Sequence, residues 1–153
     1  DLVACIALGF LSETLGPAAS LVPTEAIPSL VVLLKLRLEA PAGIDAAERL
    51  VSTRSFLGLP MFYRPRFVLQ ALRWLTFHSA DHATTACHTE LPALLSGLLR
   101  GDLANDSPDN TPYGTEDAIA VAHPLATALL AHAERTGGPP AVRLALDGLP
   151  RRA

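Results

Sequence analysis

Within eleven residues the chain sets His78, Asp81, His82, Cys87 and His88, five side chains that can each donate to a zinc ion. Zinc chemistry needs such donors at a spacing that folds them onto one point, and here the spacing fits no closed zinc motif. Neither the H-E-x-x-H of a helical zinc site nor a pair of C-x-x-C steps occurs anywhere in the chain. Histidine and aspartate are also ordinary residues of a turn between helices, as caps and as cations near a helix C-terminus. The cluster is therefore read as turn chemistry, with no metal.

Other groupings lead no further towards catalysis. Ser12-Glu13 and His132-Ala133-Glu134 form no triad or paired-carboxylate arrangement, and Asp81-His82 reverses the order of the histidine-aspartate phosphohydrolase pair and lacks its partners. Gly97, Gly101, Gly114 and Gly137-Gly138 fall at or near helix ends or turns, and none follows a strand, so no phosphate-cradling loop is expected. The sequence predicts no enzyme and no cofactor, and a zinc-dependent enzyme ranks third among the functional readings.

The element that carries most of these residues is legible from its period. From Pro65 the residues Phe67, Val68, Ala71, Leu72, Leu75 and Phe77 fill an apolar helix face. The helix breaks at Ser79-Ala80-Asp81, a short helical piece runs through Cys87, and a turn follows at Thr89-Glu90. A second full helix then carries Leu91, Leu94, Leu95, Leu98 and Leu99 and stops at Gly101. Long, short and long helices in this order are the grammar of one layer in a stacked α-solenoid.

Length and composition agree with helices packed on helices. The chain has 153 residues, of which 50% are apolar and 5% aromatic, enough for one core and a single domain. A net charge of −3 supplies no general attraction to nucleic acid or membrane. Cys5 and Cys87 lie in separate helical patterns, which favours reduced thiols and a cytoplasmic or nuclear protein. Leu2 to Leu11 is apolar but follows Asp1 and precedes Glu13, so it lacks the basic start of a signal peptide. Ile27 to Leu36 is interrupted at Lys35 and is too short to span a bilayer. With no initiator Met and a first helix apolar on nearly every side, the chain reads as a piece of a longer solenoid with flanking repeats.

In chain order, residues 1–13 form a long helix with Ala4, Leu8 and Leu11 inward, ended by Gly16-Pro17. Ala18 to Val22 makes a short helix, Thr24 caps the next, and Pro28 falls in its first turn, where the missing N–H costs nothing. Pro41-Ala42-Gly43 breaks that helix near Glu39 or Ala40. Residues 44–59 are an insertion with one helix, capped by Asp45 and closed by Gly58 and Pro60, and a loop at Met61-Phe62-Tyr63-Arg64 leads back to Pro65. Residues 102–114 are dense in turn formers and acids and read as a surface loop. Helix resumes at Thr115, Pro124 is expected to kink it or split it at His123, and Gly137-Gly138 ends it before a short helix from Ala141 to Leu149.

Two stretches also match each other. Ala4-Cys5-Ile6-Ala7-Leu8-Gly9-Phe10 aligns with Ala71-Leu72-Arg73-Trp74-Leu75-Thr76-Phe77, and more weakly with Ala126 to His132. Thr24-Glu25-Ala26-Ile27-Pro28-Ser29-Leu30 aligns with Thr89-Glu90-Leu91-Pro92-Ala93-Leu94. Both second helices end in two leucines and a base, Leu33-Leu34-Lys35 and Leu98-Leu99-Arg100. These residues resemble the armadillo-repeat family, well over 1–35 and 66–101 and weakly over 115–135. The resemblance implies an all-α right-handed superhelix that scaffolds protein partners through a concave face. Two features depart from the pattern. Phe10 and Phe77 are 67 residues apart, against about 42 for one repeat, which the insertion explains. Nuclear-import receptors of the family bind peptide with an asparagine and a tryptophan four residues before it, where this chain has Phe10 with Ile6 and Phe77 with Arg73.

In the resembled fold the positions of Ile6, Phe10, Arg73, Phe77, Ala128 and His132 point from the long third helices into the groove. The two phenylalanines would form an apolar platform with Arg73 as the charged donor, suited to a peptide or amphipathic helix of a protein partner. Against this stands a reading in which the inserted helix covers Phe77 and both rings are core, and the insertion favours that second reading. A nucleic-acid module is the alternative function: Arg49, Arg54, Arg64, Arg66 and Arg73 follow one another with no acid between Arg49 and Ala80. A solvated face balancing the acids of 102–117 is the simpler account of those arginines.

Overall fold

The computed structural model describes residues 9, 16–38, 65–100 and 115–147, with the backbone alone at 36, 37 and 115–117. All the regular structure among the described residues is helical, with no strand among them. A short 3-10 helix, Gly16–Leu21, leads to α1, Ala26–Leu38, and then come α2, Pro65–His78, α3, Ala80–Cys87, α4, Leu91–Arg100, α5, Thr115–Thr136, and α6, Pro140–Leu146. The all-α class expected from the periods is what the structure has. The expected helices over 1–13 and 44–59, apart from Gly9, and the acidic loop over 102–114 lie outside the described residues. Among the described residues no helix is long and apolar enough to cross a membrane.

α2 lies at the centre. It starts at Pro65, where a proline is free of penalty, and buries Val68, Leu69, Ala71, Leu72, Trp74, Leu75 and Thr76. The Thr76 hydroxyl is satisfied within the helix by the Leu72 carbonyl at 2.7 Å. Around it pack the 3-10 helix, α1, α3 and α5. The Trp74 indole donates to the Gly16 carbonyl at 3.2 Å, which ties the 3-10 helix to α2 through a buried polar atom. α1 contributes Ile27, Leu30, Val31 and Leu34, all buried.

One expectation about this helix is overturned. Phe77 is 73% exposed and is neither core nor covered. At 100° per residue it continues the stripe Arg66, Gln70, Arg73 on the outer side of α2 and falls away from Leu72 and Leu75. Phe67, on the flank of the same helix, is half-buried.

The turns follow local chemistry. The break after α2 is a single residue, Ser79, with extended backbone (φ −142°, ψ 119°) and its hydroxyl accepting the His82 N–H at 3.4 Å as an N-cap. Asp81 sits in the first turn of α3, where a carboxylate is favoured. Before α4 the Thr89 hydroxyl donates to the Ala86 carbonyl at 2.7 Å and accepts the Leu91 N–H at 3.2 Å. α1 begins at Ala26, with the Ile27 N–H on the Thr24 backbone carbonyl at 3.1 Å.

α5 decides one half of the expectation of a kink or a split at Pro124. Pro124 lies inside a helix of 22 residues that continues past His123 without a split. A proline in a helix interior costs about 3 kcal/mol. Leu125 and Leu129 are buried to 0% and 1%, and each such leucine returns about 1.5–3 kcal/mol, so packing on α2 and α4 outweighs the broken rung. The helix ends as expected at Gly137, whose φ of 64° is left-handed, while the Gly138 N–H reaches back to the Ala133 carbonyl at 2.8 Å.

Gly9 is helical and buried, and a Cβ placed there would stand 2.5 Å from the Ala71 Cα. Backbone meets backbone at that point, and no side chain can yield. Gly9→Val is expected to destabilise the fold by about 1–3 kcal/mol through overpacking, read as a fall in the urea midpoint at unchanged slope.

Candidate partner-binding cleft

Between the end of α2 and the second half of α5 lies a cleft of about 330 Å³. Thr76 and Phe77 form one wall and Ala83 of α3 the floor side. Ala128, Leu129, Ala131, His132 and Arg135 of α5 complete it. Four of these, Ala128, Ala131, His132 and Arg135, follow the i, i+3, i+4, i+7 pattern of a single helix stripe. The His132 ring is 7% exposed and its Nε2 lies 3.0 Å from the Thr84 hydroxyl, so it stands as a fixed wall and offers little surface. Phe77 is the opposite: its ring is open to solvent and meets the His78 ring edge-on, centroids 5.0 Å apart.

Of the residues expected to share a groove, Phe77, Ala128 and His132 converge on this cleft. Arg73 is exposed one turn before Phe77 and does not line it. Ile6 and Phe10 lie outside the described residues, as do Arg49, Arg54 and Arg64 of the alternative basic patch. Arg66 is exposed, with its guanidinium 5.7 Å from the centre of the Phe67 ring. Arg135 and Ala131 were not anticipated. Extending the Ala128 and His132 stripe by one turn would have reached both.

The histidine-rich turn resolves into separate roles. His82 is 2% exposed and bonded at both nitrogens, Nδ1 to the Ser79 hydroxyl at 2.6 Å and Nε2 to the Val22 carbonyl at 2.7 Å. A carbonyl only accepts, so Nε2 carries a proton, and in the neutral ring Nδ1 takes the serine proton. His78, Asp81 and His88 are exposed, and Cys87 is buried against α5 with its thiol 4.0 Å from the Leu129 carbonyl. Among the described residues no three His, Cys, Asp or Glu side chains are grouped to hold a metal ion. Burial pushes the Cys87 thiol up from its ordinary value of 9.0. Cys5 lies outside the described residues.

Compared with protein-family models, curated proteins and solved structures, the chain matches none.

Two outcomes follow from the buried polar groups. His82→Leu keeps the volume but orphans the Val22 carbonyl, and should cost about 1–3 kcal/mol. His88→Leu, on the exposed side of the same turn, should stay within about 0.5 kcal/mol. For Cys87 the folded thiol ionises later than the unfolded one, so its contribution is fully present below about pH 9 and is lost as pH rises above it. In a Cys5→Ser background, stability measured from pH 8 to 10 should fall, and Cys87→Ala should flatten that slope.

Proposed function

We propose that the chain is a non-enzymatic protein-interaction module of armadillo type, whose right-handed solenoid takes a peptide or helix of a protein partner in the cleft between α2 and α5. The order of elements supports the solenoid. Among the described elements a short helix followed by two longer ones occurs as the 3-10 helix, α1 and α2, and again as α3, α4 and α5, with the short α6 after them. α2 and α5 take the third place in each set and pack on one another, as third helices of neighbouring repeats do. His132 and Ala128 stand beside Phe77, which is what the repeat register anticipates for groove positions.

The observation that carries the docking role is the exposure of Phe77. A phenylalanine ring 73% open to water at the lip of an apolar cleft contributes little to folding. Aromatic side chains at the centre of a contact patch are the residues that dominate binding energies. Arg73 on the same stripe adds a planar, multidentate donor at the rim.

Phe77→Ala is expected to leave stability within about 0.5 kcal/mol and to remove more than about 1 kcal/mol of partner affinity. The measurement is quantitative affinity purification with the chain and its Phe77→Ala and Ala128→Arg variants as bait. A partner retained equally by all three would end the reading. So would a Phe77→Ala protein that loses roughly 3–5 kcal/mol of stability, the signature of a core ring.

A further inference from the structure

We propose that the segment taken by this cleft is acidic as well as apolar, an inference that rests on the docking role of the cleft. Two polar atoms of its walls are already used. The Thr76 hydroxyl is bonded to the Leu72 carbonyl, and the His132 ring to Thr84. The charged group that the described lining offers to a polar partner is the exposed Arg135 guanidinium. Arg73 stands exposed on the outer stripe of α2, one turn before Phe77. Neither arginine is paired with a carboxylate among the described residues, where the ion pair is Lys35 with Glu90 at 2.9 Å.

The nearby acids do not change the sign. Glu134 is exposed but lies off the Ala128, Ala131, His132, Arg135 stripe, and Asp81 belongs to the first turn of α3, where the helix end holds it. Among the described residues no carboxylate lines the cleft. The apolar part is equally defined. Ala128 and Ala131 are small, and they leave room opposite the Phe77 ring for a partner's aliphatic side chain. A carboxylate next to that side chain meets Arg135 in a charge-assisted, two-pronged contact, and a second one reaches towards Arg73. A basic segment would set like charges against both guanidiniums.

The test uses the full chain and three fluorescein-labelled peptides in which leucine alternates with glutamate, serine or lysine, read by fluorescence anisotropy. The glutamate peptide should bind roughly ten-fold or more tightly than the serine peptide, the value of one charge-assisted hydrogen bond, and weaken with added salt. The lysine peptide should bind least. Arg135→Glu should cost the glutamate peptide roughly ten-fold or more and reverse the order of preference, with far-ultraviolet spectra confirming an unchanged fold. Phe77→Ala should weaken the glutamate and serine peptides alike. Equal binding of those two peptides, still dependent on Phe77, overturns the acidic preference and leaves the docking role standing. Binding of no peptide, or binding indifferent to Phe77→Ala, overturns both. Self-association abolished by Phe77→Ala would make the occupant a second copy of the chain and overturn the inference.

Discussion

The structure depends on the burial of one side of α2. Leu69, Leu72 and Leu75 are fully withdrawn from water because the 3-10 helix, α1, α3 and α5 close around them. Each such leucine is worth about 1.5–3 kcal/mol. Apolar burial is non-directional and would tolerate some sliding. Register comes from two buried polar ties, Trp74 to the Gly16 carbonyl at 3.2 Å and His82 to the Val22 carbonyl at 2.7 Å. Both reach about 60 residues back along the chain, and both hold the 3-10 helix at its two ends. Breaking the second takes from the partly buried Val22 carbonyl its His82 donor, which costs more than the bond's own net worth.

The same burial shapes the cleft. Half of α2 faces inward, so its outer residues are confined to the narrow stripe of Arg66, Gln70, Arg73 and Phe77. Near its C-terminal end that stripe borders α5, where Ala128 and Ala131, together with Ala83 of α3, are too small to fill the space between the helices. The cleft is thus a product of small residues next to one large exposed ring, framed by a helix that cannot turn without unburying its leucines. Charge is added at the edges, by Arg73 and Arg135.

Much of this was legible in the residues. α2 and α4 announce themselves by strong apolar periodicity, and their starts at Pro65 and near Thr89 coincide with proline and hydroxyl chemistry that helix ends need. Phe77, Ala128 and His132, three positions taken from the heptad alignment, line one cleft. Three things were not legible. The orientation of Phe77 was ambiguous because α2 buries more than half a turn, so a residue at its margin fits either face. The continuity of α5 through Pro124 depends on the partners that Leu125 and Leu129 find on other helices, which no local window contains. The separation of the histidine-rich turn into an inward His82 and outward His78 and His88 depends on Val22, far away in sequence. Propensity and spacing describe a helix, and tertiary contacts decide what each face of it meets.

Pro124 also divides α5 in a way that bears on the cleft. It has no amide hydrogen, so the Ala120 carbonyl, four residues earlier, receives no bond from it. The ladder of exchange-protected amides along α5 therefore has a gap between the portion that begins at Thr115 and the portion that carries Ala128, His132 and Arg135. Fraying that starts at the N-terminal end meets this gap before it reaches the wall of the cleft. The missing rung stands between the wall of the cleft and the far end of its own helix.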